Sequence, residues 1–342
     1  MMTALPMTST EDREAMRVRL ERAWAPLRPT EVFVTFWQFA AERQAIYFRR
    51  LRESAAPWTL DPVLQMFRFT NAYRAADRAS QFLIRDVIHR GSQDSSELFF
   101  RIVLFRLFNR IETWERIQEA VGTPTATAYS FVRYDEVLSD ALSRREAIYS
   151  PAYIIPSAQG FGYPRKHQNA LRLLETMLDH NLPEQVTEAS SLKSVFELVR
   201  SFPSFGDFLA YQLTIDINYS RLISFPESSF VVAGPGARDG ISKCFVDTAG
   251  LQPEDVITLV AERQTDEFAR LELDFQSLWG RPLQLVDCQN LFSEVDKYAR
   301  ATHPSVAGRS HRSRIKRRFR PAEEDLPDPW FPPKWRVDPS LT

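Results

Sequence analysis

The chain has 342 residues, 44% of them apolar, enough for one large core or two moderate ones. Its two cysteines, Cys244 and Cys288, exclude a disulfide framework, and no cysteine–histidine spacing predicts a metal site. A net charge of −1 makes any footprint for a polyanion local, and with no basic start before an apolar core and no apolar run of roughly 18 residues, neither secretion nor a membrane span is expected.

Only 11 glycines punctuate the chain, and apolar residues recur at three- and four-residue steps, which predicts a mainly α-helical protein. Residues 1–30 read as a lead-in. From Glu31 to Arg52, Phe33, Phe36, Trp37, Ala40, Gln44, Tyr47 and Phe48 share one stripe while Glu42, Arg43, Arg49 and Arg50 lie mostly off it, predicting an amphipathic helix. Asp61-Pro62 places a capping carboxylate before a proline suited to a first turn, and opens a segment towards Ala72. Helices are expected over Ala75–His89, Ser95–Thr113, Tyr134–Ser143, His167–His180 and Leu192–Phe202, with a glycine- and proline-rich loop from Ile154 to Pro164. After residue 224, SFPESSFVVAGPGARDG breaks this texture with a short β-type run and a tight loop. Helices return over Gly240–Ala249, Pro253–Leu278 and Leu285–Ala301, and 306–342 reads as a basic and Pro/Trp-rich tail.

Residues 191–220, SLKSVFELVRSFPSFGDFLAYQLTIDINYS, predict a helix ending at Pro203-Ser204-Phe205-Gly206 and a second beginning at Asp207. Free backbone N–H groups at such a helix start can hold a DNA phosphate without base preference, with Phe205 anchoring the turn and Gly206 admitting the phosphate. The pattern resembles the helix-hairpin-helix of DNA glycosylases, with Ser204 where that hairpin has a second glycine; an ordinary helical hairpin fits the residues equally. In those enzymes a catalytic aspartate follows at the start of a later helix, which points to Asp239 in AGPGARDGISKCF (233–245). A carboxylate there can stabilise positive charge on a flipped nucleotide or orient a nucleophile, and Gly234, Gly236 and Gly240 permit the turn that presents it. The plainer reading is a cap on a helix opening at Gly240. Lys243, one turn on, is an anion clamp or a solvated cation, and Asp216 and Asn218 line a cleft or end the hairpin helix.

In LVDCQNLFSEVDKYAR (285–300), Asp287, Asn290, Glu294 and Tyr298 fall on one face. Gln289 and Asn290 can read a base edge beside Glu294 and Lys297; alternatively Glu294 pairs with Lys297 or Tyr298 on a solvated helix. In RFTNAYRAADRAS (68–80), Asn71, Arg74 and Arg78 share a helical face suited to a phosphate or base edge, or to ion pairs between helices. GRSHRSRIKRRFR (308–320) carries seven Lys/Arg and no acid, the composition of a nucleic-acid clamp, and Trp330, Phe331 and Trp335 follow to pack or stack.

Taken together, FWQFAAERQAIYFRR (36–50), PWTLDPVLQMFRFTNAYRAADRAS (57–80), FPSFGDFLAYQL (202–213), GPGARDGISKCF (234–245) and DCQNLFSEVDKYAR (287–300) resemble one family. It is the alpha-glutamyl/putrescinyl thymine pyrophosphorylase family, also found as the helical domain of 5-hydroxymethyl-deoxyuridine DNA kinases. The resemblance implies a helical, DNA-glycosylase-like fold over 31–305, with a helix-hairpin-helix element and a few short β or irregular segments. It further implies DNA base hypermodification, in which an amine or amino acid displaces pyrophosphate from a flipped, activated 5-hydroxymethyluracil. DNA and that co-substrate are the implied partners, no cofactor is implied, and the expected location is the cytoplasm at the nucleoid, or the nucleus of a eukaryote. Asp239, Lys243 and Glu294 would carry the chemistry, while Asn71, Arg74, Arg78, Phe205, Gly206, Gly236, Gln289, Asn290 and Lys297 would hold base or phosphate. No G-x-x-x-x-G-K-[ST] phosphate loop occurs, so kinase activity is not expected and base activation falls to a separate hydroxymethyluracil DNA kinase. A glycosylase releasing a modified base, and a non-catalytic DNA-binding module, are the alternatives.

Overall fold

The computed structural model describes residues 21–22, 24–53, 55–151, 159–320 and 326–340; most of the lead-in and part of the Ile154–Pro164 loop lie outside them. The described residues hold fourteen α-helices. In chain order they are α1 (Glu31–Arg52), α2 (Pro62–Met66), α3 (Arg78–Phe82), α4 (Ser95–Phe108), α5 (Ile111–Val121), α6 (Phe131–Ser143) and α7 (Lys166–Asp179). There follow α8 (Leu182–Thr187), α9 (Leu192–Arg200), α10 (Asp207–Asn218), α11 (Pro235–Cys244), α12 (Pro253–Glu262), α13 (Gln264–Arg270) and α14 (Leu285–Thr302). Among the described residues the two strands, β1 (Arg28–Pro29) and β2 (Phe245–Asp247), pair antiparallel with Arg28 opposite Asp247. The protein is therefore mainly α, and none of its described helices is long and apolar enough to cross a membrane.

Several boundaries differ from the periodic reading for local reasons. The expected Ser95–Thr113 helix breaks at Asn109, which takes a left-handed φ of 48° and ends α4 before α5 starts. The segment from Pro62 stops at Met66 because Phe67 pairs with Arg318 as an isolated bridge. Ala75–His89 is a 3-10 turn (Arg74–Ala76), then α3, then a π-helical turn (Leu83–Ile88). The expected Gly240 helix opens at Pro235, behind Gly234, and gives way to β2 at Phe245.

The chain divides into two compact units, each assembled from separated stretches. The first takes its described residues from Met1–Ala76, Glu227–Asp328 and Val337–Thr342. Helix α1 is buried nearly all round: Phe36 meets Phe292 of α14 at 4.6 Å between ring centroids, and Phe33 meets Phe245 at 5.0 Å. Full burial of such a side chain contributes about 1.5–3 kcal/mol, so α1 is a major source of this core.

The second unit takes Asp77–Pro226 and Pro329–Arg336. From Glu97 to Phe108, α4 is buried on every side, and Arg106 forms a buried ion pair with Asp216 of α10. Asn218 exchanges hydrogen bonds with the Phe225 backbone at 2.9 and 3.0 Å. Asp216 and Asn218 are thus tied into the core of this unit. The Pro/Trp segment packs into this unit: Lys334 donates to the carbonyls of Ser220 and Ile223, each at 2.8 Å, and Trp335 meets the Tyr219 ring.

Candidate functional site

Helices α11 and α14 cross in the first unit, and glycine decides how closely. A Cβ on Gly240 would lie 2.0 Å from the Phe292 carbonyl oxygen, and one on Gly236 would lie 2.9 Å from Ser293 Oγ. Gly236 and Gly240 therefore sit inside α11 and admit the partner helix; they do not shape a turn, as their spacing suggests. Asp239, between them, lies one turn inside α11 and is not its cap, which is Gly234.

Asp239 is 3% exposed, and both of its oxygens are occupied. The Ser310 N–H donates to Oδ1 at 2.8 Å, and the Ser310 hydroxyl donates to Oδ2 in a shorter contact. Gly308 lies so close above that a Cβ there would meet Lys243 Cε at 3.2 Å and Asp239 Cβ at 3.3 Å. The carboxylate is thus covered by the segment that follows α14. Lys243 is 1% exposed and committed to Asp296, with its Nζ 2.9 Å from Oδ1 and 3.0 Å from the carbonyl oxygen. Lys243 is therefore not the solvated cation of its plainer reading. Arg300 meets the other Asp296 oxygen, so one buried carboxylate gathers two cations.

A second group lies on a different side of α14, against residues 68–74. Lys297 donates to the Arg68 carbonyl at 2.8 Å and to Glu294 at 2.6 Å, and Glu294 accepts the Thr70 N–H at 3.0 Å. Asp287 accepts the Arg74 N–H at 2.7 Å and closes a capping box by accepting the Gln284 N–H at 2.9 Å. Burial pushes the Asp287 carboxyl up to about 7, with nearby Glu227 adding to the rise and its two N–H donors and Arg281 opposing it. Asn71 accepts from Arg43 at 2.9 Å and donates to the Ala76 carbonyl at 2.7 Å. Asn290, 6% exposed, leaves its Nδ2 without a hydrogen-bond partner among the described residues, whereas Gln289 faces Ser293 at 3.4 Å.

The other expected residues fall elsewhere. Asn71, Arg74 and Arg78 share no helical face: Asn71 precedes the 3-10 turn, Arg74 is buried within it, and Arg78 opens α3, exposed, in the second unit. In that unit α9, the turn 201–206 and α10 form a helical hairpin. Phe205 is buried in the turn, and Ser204 takes a φ of 71°, the left-handed region where the glycosylase pattern has glycine. Gly206 is the exposed N-cap of α10, but Asp207 already supplies a carboxylate at this helix start and pairs with Arg200. Sequence reasoning missed Ser310, Asp296, Arg300 and Arg43, because no local spacing joins them to their partners.

Residues 30–308 match the family model described as the helical domain of 5-hmdU DNA kinase. The chain belongs to this family. A 5-hmdU DNA kinase of Bacillus phage SP10 is 26% identical over 297 residues, which cover 79% of this chain and 46% of that protein. The chain thus spans about half the length of that curated relative. No solved structure matches it. The family match to this helical domain takes in α1, α11 and α14 and ends at Gly308, before the first cation of the basic run, Arg309.

Proposed function

We propose that the protein modifies 5-hydroxymethyluracil in DNA, at a step in which an amine or amino acid displaces pyrophosphate from a flipped, activated base. The observation that carries this reading is the family's match across residues 30–308, together with a buried carboxylate, Asp239, held by hydroxyl and amide donors of a surface segment. Asp239 is the central carboxylate, and Ser310 gives way when the base enters. Asn290 supplies an amide with spare hydrogen-bonding capacity, and the Glu294–Lys297 pair a further acid and cation. Lys243, held by Asp296, positions α11 against α14 instead of gripping an anion.

Nucleoside mass spectrometry after incubation with DNA carrying pyrophosphorylated hydroxymethyluracil and a mixture of amines tests the reading. An amine adduct that disappears in Asp239→Asn is the expected result. An abasic site would make the protein a glycosylase, and DNA binding without product a recognition module. Full activity in Asp239→Asn would remove that residue from the mechanism.

A further inference from the structure

Leu60 is 93% exposed, yet the residues on either side of it are held in place. Trp58 is buried, its indole N–H donates to the Glu53 carbonyl at 2.8 Å, its own carbonyl accepts from Arg49 at 2.7 Å, and Arg50 lies 4.8 Å over its ring. Thr59 is buried too; its hydroxyl accepts the Asp61 N–H, and its carbonyl accepts from Gln65 at 2.6 Å. Asp61 caps α2 through Val63 and Leu64 and receives the hydroxyl of Tyr298 in a short contact. Scattered exposed leucines are ordinary; one set between the bonded residues Thr59 and Asp61 is a presented side chain.

The surroundings are cationic. Phe319 donates its N–H to the Met66 carbonyl at 2.9 Å, Arg68 donates to the Arg317 carbonyl at 3.0 Å, and the Phe319 ring faces Trp58. These bonds lay the basic run along the flank of the loop, where Arg314, Lys316, Arg318 and Arg320 are exposed and form no ion pair among the described residues. Half-exposed Met66 lies beside them. Tyr298, which ties the loop to α14, is one helical turn from Glu294.

We propose that Leu60 is a wedge that enters the base stack of duplex DNA while the cations of 314–320 hold the flanking phosphates. A flipped nucleotide leaves a gap whose unstacking costs a few kcal/mol per step, and a rigid apolar side chain between phosphate-gripping cations fills such a gap. This inference rests on the DNA reading above, and it assigns a role to a basic run that lies beyond the family match.

The test uses the full chain and a duplex with one 5-hydroxymethyluracil next to 2-aminopurine, whose fluorescence rises on unstacking. Wild type is expected to raise the signal on binding, Leu60→Met to keep the rise, and Leu60→Ala to lose most of it while still binding. Arg314→Ala and Lys316→Ala are expected to keep the rise at saturation but to lower the slope of log K against log salt by about 0.9 for each phosphate no longer neutralised. An undiminished rise with Leu60→Ala, or wild-type binding without any rise, overturns the wedge and leaves DNA recognition standing. Absence of duplex binding by wild type overturns both. Because Leu60 is solvent-exposed, an unchanged thermal midpoint shows that each Leu60 variant is folded.

Discussion

Replacing Gly240 by alanine sets two predictions of opposite sign against each other. Alanine is favoured over glycine in a helix interior by about 1 kcal/mol, so propensity alone predicts stabilisation. Packing predicts the reverse: the new Cβ would lie 2.0 Å from the Phe292 carbonyl oxygen and 2.6 Å from its carbon. An ordinary carbon–oxygen approach is about 3.3–3.6 Å, so α11 and α14 must part by more than about 1 Å. A backbone carbonyl cannot rotate away, and Phe292, which packs on Phe36, must move with it. Overpacking of this kind costs about 1–3 kcal/mol, or more where backbone must shift, and we expect a net loss of about 2 kcal/mol after the propensity gain. Urea unfolding of the full chain followed by tryptophan fluorescence reads this directly, since Trp37 packs against Phe36 in the same core. Gly236→Ala should cost less, because the nearest atom is the rotatable Ser293 hydroxyl, and Gly206→Ala, with nothing within 4 Å, should lose only its N-cap preference, about 1 kcal/mol or less. A Gly240→Ala protein as stable as wild type would refute the close-crossing argument.

Two further perturbations test the buried charges. Asp296→Ala strands Lys243 in the core and should destabilise by about 3–5 kcal/mol, whereas Lys243→Met leaves Asp296 still paired with Arg300 and should cost less. The reverse order of urea midpoints would contradict this pairing scheme. The Asp287 carboxyl is raised from 3.8 to about 7 in the folded protein, so between those values the folded state holds a proton that the unfolded chain has lost. Its stabilising contribution is therefore full below the lower value and is lost as pH rises towards 7. Asp287→Asn should flatten that part of the stability–pH curve, and parallel slopes for the two proteins between pH 5 and 7 would exclude Asp287 as its source.

The legible part of this protein was its local periodicity. The α1 stripe from Phe33 to Phe48 is buried as expected, the Asp61-Pro62 start caps α2, and α14 runs within a residue of its predicted span. These follow from a 3.6-residue repeat and from capping chemistry, both of which act over a few neighbouring residues. Sequence order also grouped residues that the fold separates: Arg74 and Arg78 are four apart in the chain but belong to different units.

What the amino-acid sequence determined by itself was a mainly helical chain, its main amphipathic faces, and enough ordered motifs to indicate its family. The tertiary structure alone decided what each polar group does. It set Ser310 on Asp239 across 71 positions, Asp287 on the Arg74 amide across 213, and Glu294 on the Thr70 amide across 224. It also turned Gly236 and Gly240 from turn residues into a contact surface. Hydrogen bonds and helix crossings depend on distance in space, and separations of this length in the chain leave no periodic trace from which such partners can be read.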